Sequence, residues 1–149
     1  MSVLTTPFSG LGTTLGYKVG SATVFTSFAQ LKDDWDFAEA TTADIETATI
    51  STVAMTRIPG RQDYDSLSGT MYFIPGDPTV AEAWTLFQAR TMVAWQVMTT
   101  DGTSGTTGST LAFSGYISSL KPGPFTGTDA VTMDFKISIN GTVTLTTGS

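Results

Sequence analysis

The stretch Val131–Asn140, VTMDFKISIN, decides the fold, because apolar and polar residues alternate along it without interruption. Its apolar members are Val131, Met133, Phe135, Ile137 and Ile139. A period of two places alternate side chains on opposite faces of a strand. The stretch therefore predicts a β-strand with one face in the core and the other in water.

Two continuations fit the residues after this strand. Asn140 and Gly141 are typical of a two-residue hairpin turn. Val143 and Leu145 keep the parity of Ile139, which instead indicates one long strand that bends at Gly141. The sequence alone leaves both alternatives open.

Further strands are predicted upstream. Leu111–Ser118 alternates in the same way until Lys121, Pro122, Gly123 and Pro124 interrupt the pattern. Residues 101–108, DGTSGTTG, predict a flexible hairpin loop before it. The other predicted strands are Thr13–Val19, Ala22–Leu31, Gly69–Ile74 and Thr91–Thr99. Ala22–Leu31 has apolar residues on both parities, which predicts burial on both faces.

One helix is predicted, over residues 78–90. Asp77 can cap its free amides, and Pro78 suits the first helical position. An apolar stripe able to lie on a sheet recurs at i, i+3, i+4 and i+7, and it consists of Val80, Ala83, Trp84 and Phe87.

The remaining segments show little periodicity. Residues 38–68 are predicted to be a long inter-strand loop, which within a compact domain is usually a functional or interaction element. Residues 1–12 are predicted to be an irregular N-terminal arm and residues 142–149 a C-terminal segment. We expect one domain over residues 1–149, mainly β, as a sandwich or barrel with one flanking α-helix and extended termini.

Composition narrows the function. The chain has 149 residues without cysteine or histidine, which removes disulfides, thiolate chemistry and the commonest general base and zinc ligand. Its net charge of −6 is unfavourable for gripping nucleic acid phosphates. Only 13% of the residues are charged, which suits a subunit covered by neighbours. No run of eighteen apolar residues occurs, so we expect no membrane partner.

Three motifs are weak. GLGTTLG at Gly10–Gly16 spaces its third glycine one residue late for a dinucleotide fingerprint. The acids Asp33, Asp34 and Asp36 lack the glycine and glutamate of a calcium loop, so a solvated acidic face is the better interpretation. Asn140-Gly141-Thr142 matches a glycosylation acceptor but reads as turn chemistry.

Carboxylates near Trp35 and Tyr64 keep two alternatives open, a monomeric glycan-binding module of β-sandwich type and a small glycan hydrolase. Thirteen acids make chance proximity easy, and no distinctive spacing supports either function. We therefore predict no enzyme and no cofactor, and we assign no catalytic, cofactor-binding or metal-binding residue.

The order of these elements, and the residues within them, resemble the tail tube (major tail) proteins of long-tailed, non-contractile phages and phage-like gene transfer agents. Three stretches carry the resemblance, IPGRQDYDSLSGTMYFIPGDP at Ile58–Pro78, the segment Phe113–Thr146, and GTTLGYKVG at Gly12–Gly20. Each piece is weakly specific, whereas their order and spacing together are distinctive.

The resemblance implies a structural virion protein, made in the host bacterial cytoplasm and built into the tail. It implies hexameric rings that stack into a tube, with tape measure, terminator and baseplate hub proteins as further partners and DNA only passing through. By position, it assigns Ala38–Ser68, Met1–Gly12 and Thr142–Ser149 to contacts between subunits.

Charge adds a hypothesis about the channel. Carboxylates on its wall would keep DNA sliding, whereas lysine and arginine would tether phosphates. We hypothesise that Asp134 or members of the Asp33–Asp36 cluster line it, and that Arg57 and Arg61 either pair with acids of an adjacent subunit or stay solvated.

Overall fold

A computed structural model describes residues 10, 12–32, 35–51, 53–100 and 108–148. One helix and eight strands follow one another along this part of the chain. In order they are β1 (Thr14–Lys18), β2 (Thr26–Ser27), β3 (Ala40–Glu46), β4 (Arg57–Tyr64), β5 (Leu67–Tyr72), α1 (Pro78–Ala89), β6 (Val93–Met98), β7 (Thr110–Pro122) and β8 (Thr132–Thr146).

Six strands form one antiparallel sheet in the order β2-β1-β6-β7-β8-β5. The chain after β2 crosses to the far side of β5, where Leu31 bridges Met71 and Asp36 bridges Ser68. The Lys32 amide donates to the Thr70 carbonyl at 2.9 Å. This crossing segment ties the two ends of the curled sheet together and protects the outer edge of β5.

The core lies inside the curled sheet. Met133, Phe135 and Ile137 of β8 are buried, as the alternation predicts, while Val131 and Ile139 at its ends are half-buried. Trp95 of β6 is fully buried, and its indole nitrogen donates to the Gly115 carbonyl at 3.2 Å. That bond satisfies the polar end of the largest core side chain.

An aromatic cluster closes one side of this core. The ring centroid of Phe28 lies 5.1 Å from that of Tyr17 and 6.1 Å from that of Trp95. Burial raises the pKa of the Tyr17 hydroxyl, and the nearby carboxylates of Glu82 and Asp77 raise it further. Tyr17 therefore stays neutral and packs as a hydrocarbon with a polar end.

The two continuations left open after Asn140 are decided in favour of a single strand. β8 runs through Gly141, whose φ is +85°. Ala112 pairs with Thr144 and Ser114 pairs with Asn140, so residues 141–143 face Phe113 alone. Gly141 supplies the left-handed conformation that this bulge requires, because glycine adopts it without steric cost.

The helix begins and ends close to the predicted residues. Asp77 caps it by accepting from the Thr79 amide at 2.9 Å, Pro78 takes the first position, and Arg90 ends it with a left-handed φ of 56°. Thr79, Val80, Ala83 and Leu86 are buried, whereas Trp84 is 39% exposed. The predicted stripe is therefore rotated, because the helix packs mainly on β7.

The strand predicted over Ala22–Leu31 is wrong. Only Thr26–Ser27 is a strand, and a turn at residues 29–30 precedes the bridge at Leu31. The segment has apolar residues on both parities because it crosses the barrel from β1 to β5. Phe28 enters the core on the way, while Val24 remains exposed.

The long irregular loop predicted over residues 38–68 is also wrong in its interior. β3 and β4 pair there as an antiparallel hairpin with an irregularity between Thr42 and Asp44. Every residue of β3 is exposed, and six of the eight in β4 are as well. A strand that buries neither face has no reason to alternate, so the sequence carried no signal for it.

The predicted architecture, mainly β with one flanking helix, is confirmed. The hairpin loop predicted over residues 101–108 and most of the N-terminal arm lie outside the described residues, although β6 and β7 pair as that hairpin requires. Within the described chain, no helix combines the length and the apolar character needed to cross a bilayer.

Candidate assembly surfaces

Two strand edges of the main sheet have no partner strand within the described chain. β6 pairs with β7 only as far as Gly115, which leaves residues 116–122 of β7 paired on one side. β5 pairs with β8 only as far as Ile137, which leaves residues 138–146 of β8 paired on one side. Unpaired strand edges are templates for pairing with another chain.

The hydrogen-bond register shows which backbone groups face outwards on β8. The Thr99 amide donates to the Ser109 carbonyl at 2.9 Å, so amides at alternate residues from Ser109 point towards β6. Those between them, at Thr110 and Ala112, point towards β8 and their partners Thr146 and Thr144. The amide and carbonyl of Leu145 consequently face the free edge.

These two edges lie on opposite sides of the β7–β8 hairpin and at opposite ends of it. The free part of β7 lies beside residues 132–138 of β8, and the free part of β8 extends from there to Thr146. Two different edges on one molecule favour head-to-tail pairing of identical copies. Their offset along the strands resembles the stagger that closes tilted strands into a barrel.

The β3–β4 hairpin, which we call the arm, stands away from the main sheet and meets it mainly beside β8. Arg57 lies 4.0 Å from Glu46 within the arm, and both side chains are more than half exposed. Arg57 therefore has an acid on its own chain, and an exposed pair of this kind adds little stability. Arg61, on the same strand, is exposed.

The arm ends in an apolar tip, which we define as residues 47–56. Ile50 and Val53 are fully exposed there, and Met55 is 52% exposed. The Thr47 amide donates to the Thr56 carbonyl at 3.0 Å, and the two hydroxyl oxygens are 2.7 Å apart. The base of the tip is therefore tied, while its apolar side chains have no cover.

A large open groove lies at one end of the barrel, with a volume of about 1020 Å³. Its described lining includes the only lysine at this site, Lys32, together with hydroxyl and apolar side chains. The large apolar ones are Phe28, Leu31, Trp35, Phe37, Val97 and Leu111. A cleft of this size and lining is suited to bury apolar groups.

Asp134 lies on the polar face of the sheet. Its carboxylate accepts from the Thr70 hydroxyl at 2.9 Å. Lys121 is its cross-strand partner, and Lys136 and Asp36 line the same shallow hollow of about 430 Å³. Two carboxylates and two ammonium groups balance one another here. Asp134 therefore does not lie in an acidic patch, and Asp33 and Asp34 are outside the described residues.

The aromatic residues considered for sugar binding do not meet. Trp35 lines the large groove, whereas Tyr64 lines a separate hollow with Glu39, Asp63 and Asp65. Asp63 and Asp65 accept from the amides of the residues after them, at 2.9 and 2.8 Å. These carboxylates shape local turns. Among the described residues, no group of three potential ligands is placed to hold a metal ion.

The carboxylate with the most hydrogen bonds belongs to the helix cap. Asp77 accepts from the Thr79 hydroxyl at 2.6 Å and from the Gln30 amide nitrogen at 3.0 Å. The Thr79 hydroxyl, the Gln30 side chain and the helix amides together hold the pKa of Asp77 below its usual value. The cap also joins α1 to the crossing segment, so its role is structural.

Sequence reasoning placed contacts in residues 38–68 but did not identify the tip. The available signal was the uncharged run TATISTVAMT between Glu46 and Arg57, with three large apolar residues in a segment otherwise rich in charge. Neither the free edges nor the groove has a comparable signal, because both depend on where neighbouring strands stop.

Comparison with solved structures identifies similar folds. The chain has a TM-score of 0.74 and 14% identity to a chain from the tail of an empty gene transfer agent particle, over 94% of this chain and 99% of that one. It has a TM-score of 0.69 and 17% identity to the SPP1 tail tube, over 95% and 80%. For the anti-feeding prophage baseplate the values are 0.74 and 7%, over 97% and 98%.

No protein-family model matches the sequence, and comparison with curated protein sequences finds no match. The structural likeness extends over nearly the whole chain at low identity. The chain therefore has the fold of phage tail tube proteins, as the resemblance implied.

Proposed function

We propose that this chain is the tail tube protein of a long-tailed phage or a phage-like gene transfer agent. Six copies form a ring, and rings stack into the conduit through which DNA passes. The observation that carries the proposal is the pair of free edges on opposite sides of one hairpin. Support comes from the gene transfer agent tail, a structure of the same fold refined with C6 symmetry.

Ring closure gives the free edges a physical role. If residues 138–146 of β8 pair with residues 116–122 of β7 in the next copy, the exposed amides and carbonyls gain hydrogen bonds. The contact uses two different surfaces, so copies add in one rotational sense until the ring closes. The sheet of each copy then becomes part of one barrel around the channel.

The charge of the chain suits DNA that passes without binding. Seven basic residues stand against thirteen acids, so a wall made of many copies repels phosphates overall. The balanced hollow around Asp134 keeps Lys121 and Lys136 beside carboxylates, which reduces their attraction for phosphates. On this proposal the polar face of β5, β8 and β7 lines the channel.

The channel face can be tested in assembled particles. Asp134→Lys leaves Lys121 and Lys136 without their nearest β8 acid, so we expect slower genome release with unchanged tube length. Asp129→Lys, at an exposed residue in the loop between β7 and β8, is the matched charge change. Equal release rates for wild type and Asp134→Lys would argue against this assignment of the channel face.

The proposed particle defines the remaining partners and the location. The protein is made in the host bacterial cytoplasm and resides in the virion tail. A tape measure protein inside the growing tube, a terminator at one end and baseplate hub proteins at the other are the further partners. No cofactor and no membrane take part.

Substitutions at Leu145 test the free edge of β8. Leu145→Pro removes an amide that faces outwards and leaves the bonds to β7 in place, so we expect a folded subunit that no longer forms rings. Leu145→Ala loses a similar side chain but keeps the amide, and we expect it to assemble. Electron microscopy and analytical ultracentrifugation measure assembly, and circular dichroism checks folding.

Two outcomes would contradict the proposal. One is a wild-type chain that stays monomeric at every concentration, even when tail initiator components are added. The other is Leu145→Pro rings indistinguishable from those of wild type. A stable monomer that binds sugars would instead favour the glycan-binding alternative.

A further inference from the structure

The apolar tip and the apolar groove are complementary features of the same chain. The tip carries no charged residue between Glu46 and Arg57 and fully exposes Ile50 and Val53. The groove offers aromatic and aliphatic side chains over about 1020 Å³, with Lys32 as its charged residue among the described lining. Neither feature is satisfied within one copy, because the tip side chains remain fully exposed.

We propose that the tip of one copy occupies the groove of a second copy. Burying Ile50, Val53 and Met55 removes three large apolar side chains from water and covers Trp35, Phe37 and their neighbours. The tied base formed by Thr47 and Thr56 presents the tip in one shape, which lowers the entropy cost of docking.

The symmetry of this contact distinguishes it from the pairing of strand edges. A projecting tip and a recessed groove are different surfaces, so the contact is heterologous and can continue from copy to copy without limit. Edge pairing closes the ring, and tip docking is then available to join rings. This inference rests on the proposed tube function and adds the acceptor site for the arm.

Charge at the groove is compatible with this occupant. Lys32 extends its ammonium group over the Tyr72 ring, 5.8 Å from the centroid, which turns it away from an entering side chain. The uncharged tip brings no like charge to Lys32, and its hydroxyl-bearing residues can face the rim of the groove. An acidic or basic segment would instead lose its hydration in an apolar site.

Cysteine cross-linking tests the contact directly, because the natural chain contains no cysteine. Val53→Cys lies on the tip and Ala29→Cys on an exposed part of the groove lining. Mixing the two single variants under mild oxidation is expected to give a disulfide-linked heterodimer in assembled tubes. Thr85→Cys, on the exposed side of α1, replaces Ala29→Cys as the matched control and is expected not to cross-link with the tip.

A charge placed on the tip tests its energetic role. We expect Val53→Asp to raise the protein concentration needed for tube growth by roughly tenfold or more, because an unpaired carboxylate loses hydration in the groove. Val53→Ala keeps the tip apolar and should have a smaller effect. Adding Ala29→Lys to Val53→Asp is expected to restore growth in part.

The outcomes separate this inference from the proposed function. Wild-type protein that never forms rings or tubes overturns both. Normal tubes without a Val53–Ala29 cross-link, together with unchanged growth of Val53→Asp, overturn the tip contact alone. A groove cysteine that cross-links to Leu4→Cys in place of the tip would assign the groove to residues 1–9 and also overturn it.

Discussion

The main sheet and the arm use the same backbone pairing but differ in what covers their side chains. In the sheet, Leu15, Trp95 and Ile137 are fully buried, whereas every residue of β3 is exposed. Hydrogen bonds give both regions their shape, but apolar burial supplies most of the net stability. A two-stranded hairpin by itself is marginal, so the arm is suited to gain its stability from a partner.

The largest effect is expected from removing the centre of the core. Trp95→Ala deletes a fully buried side chain and should lower the free energy of unfolding by about 3–5 kcal/mol. Urea denaturation of the subunit measures it, and Trp95→Phe, which keeps much of the volume, should cost less. A loss below about 1 kcal/mol would contradict the contrast between a stabilising sheet and a dependent arm.

A smaller loss is expected where β7 and β8 approach most closely. A methyl group at Gly115 would collide with the Ser138 carbonyl of the paired strand, and backbone cannot move away as a flexible side chain can. Gly115→Ala should therefore cost about 1–3 kcal/mol. Gly127→Ala has open space around the new methyl group, so equal losses in the two variants would refute the close approach.

The cap of α1 should make stability depend on pH. The hydrogen bonds to Asp77 lower its folded pKa, so its contribution is complete above the unfolded value of about 4 and is lost as pH falls through the lowered value. We expect Asp77→Asn to melt below wild type at pH 7, and the difference in Tm to shrink on acidification. A difference that grows at low pH would contradict the assignment.

The smallest effect on the subunit is expected in the arm. Replacing Ile50 and Val53 together by serine should change the free energy of unfolding by under about 0.5 kcal/mol, because neither side chain is buried. Thermal melting of the unassembled protein checks this. A loss comparable to that of Gly115→Ala would show that the arm stabilises its own subunit, and the contrast between the two regions would fail.

The sequence predicted those elements that bury one face. β8, β7 and β6 were identified from alternation or β-rich composition, and α1 from its cap and periodicity, because burial on one side imposes a period on the residues. The same reasoning failed for β3 and β4, which bury neither face, and for Ala22–Leu31, which passes between two strands. For the assembly surfaces it indicated residues 38–68 as a contact region without resolving the tip.

By itself, the sequence determined that this protein is mainly β, that it lacks cysteine and histidine chemistry, and that its net charge disfavours holding nucleic acid. These properties follow from residue types and local periodicity. Only the tertiary structure decided which strand edges stay unpaired, that β8 continues through Gly141, and that the tip and the groove are both open. Those features depend on where distant segments stop against one another, which no local pattern of residues records.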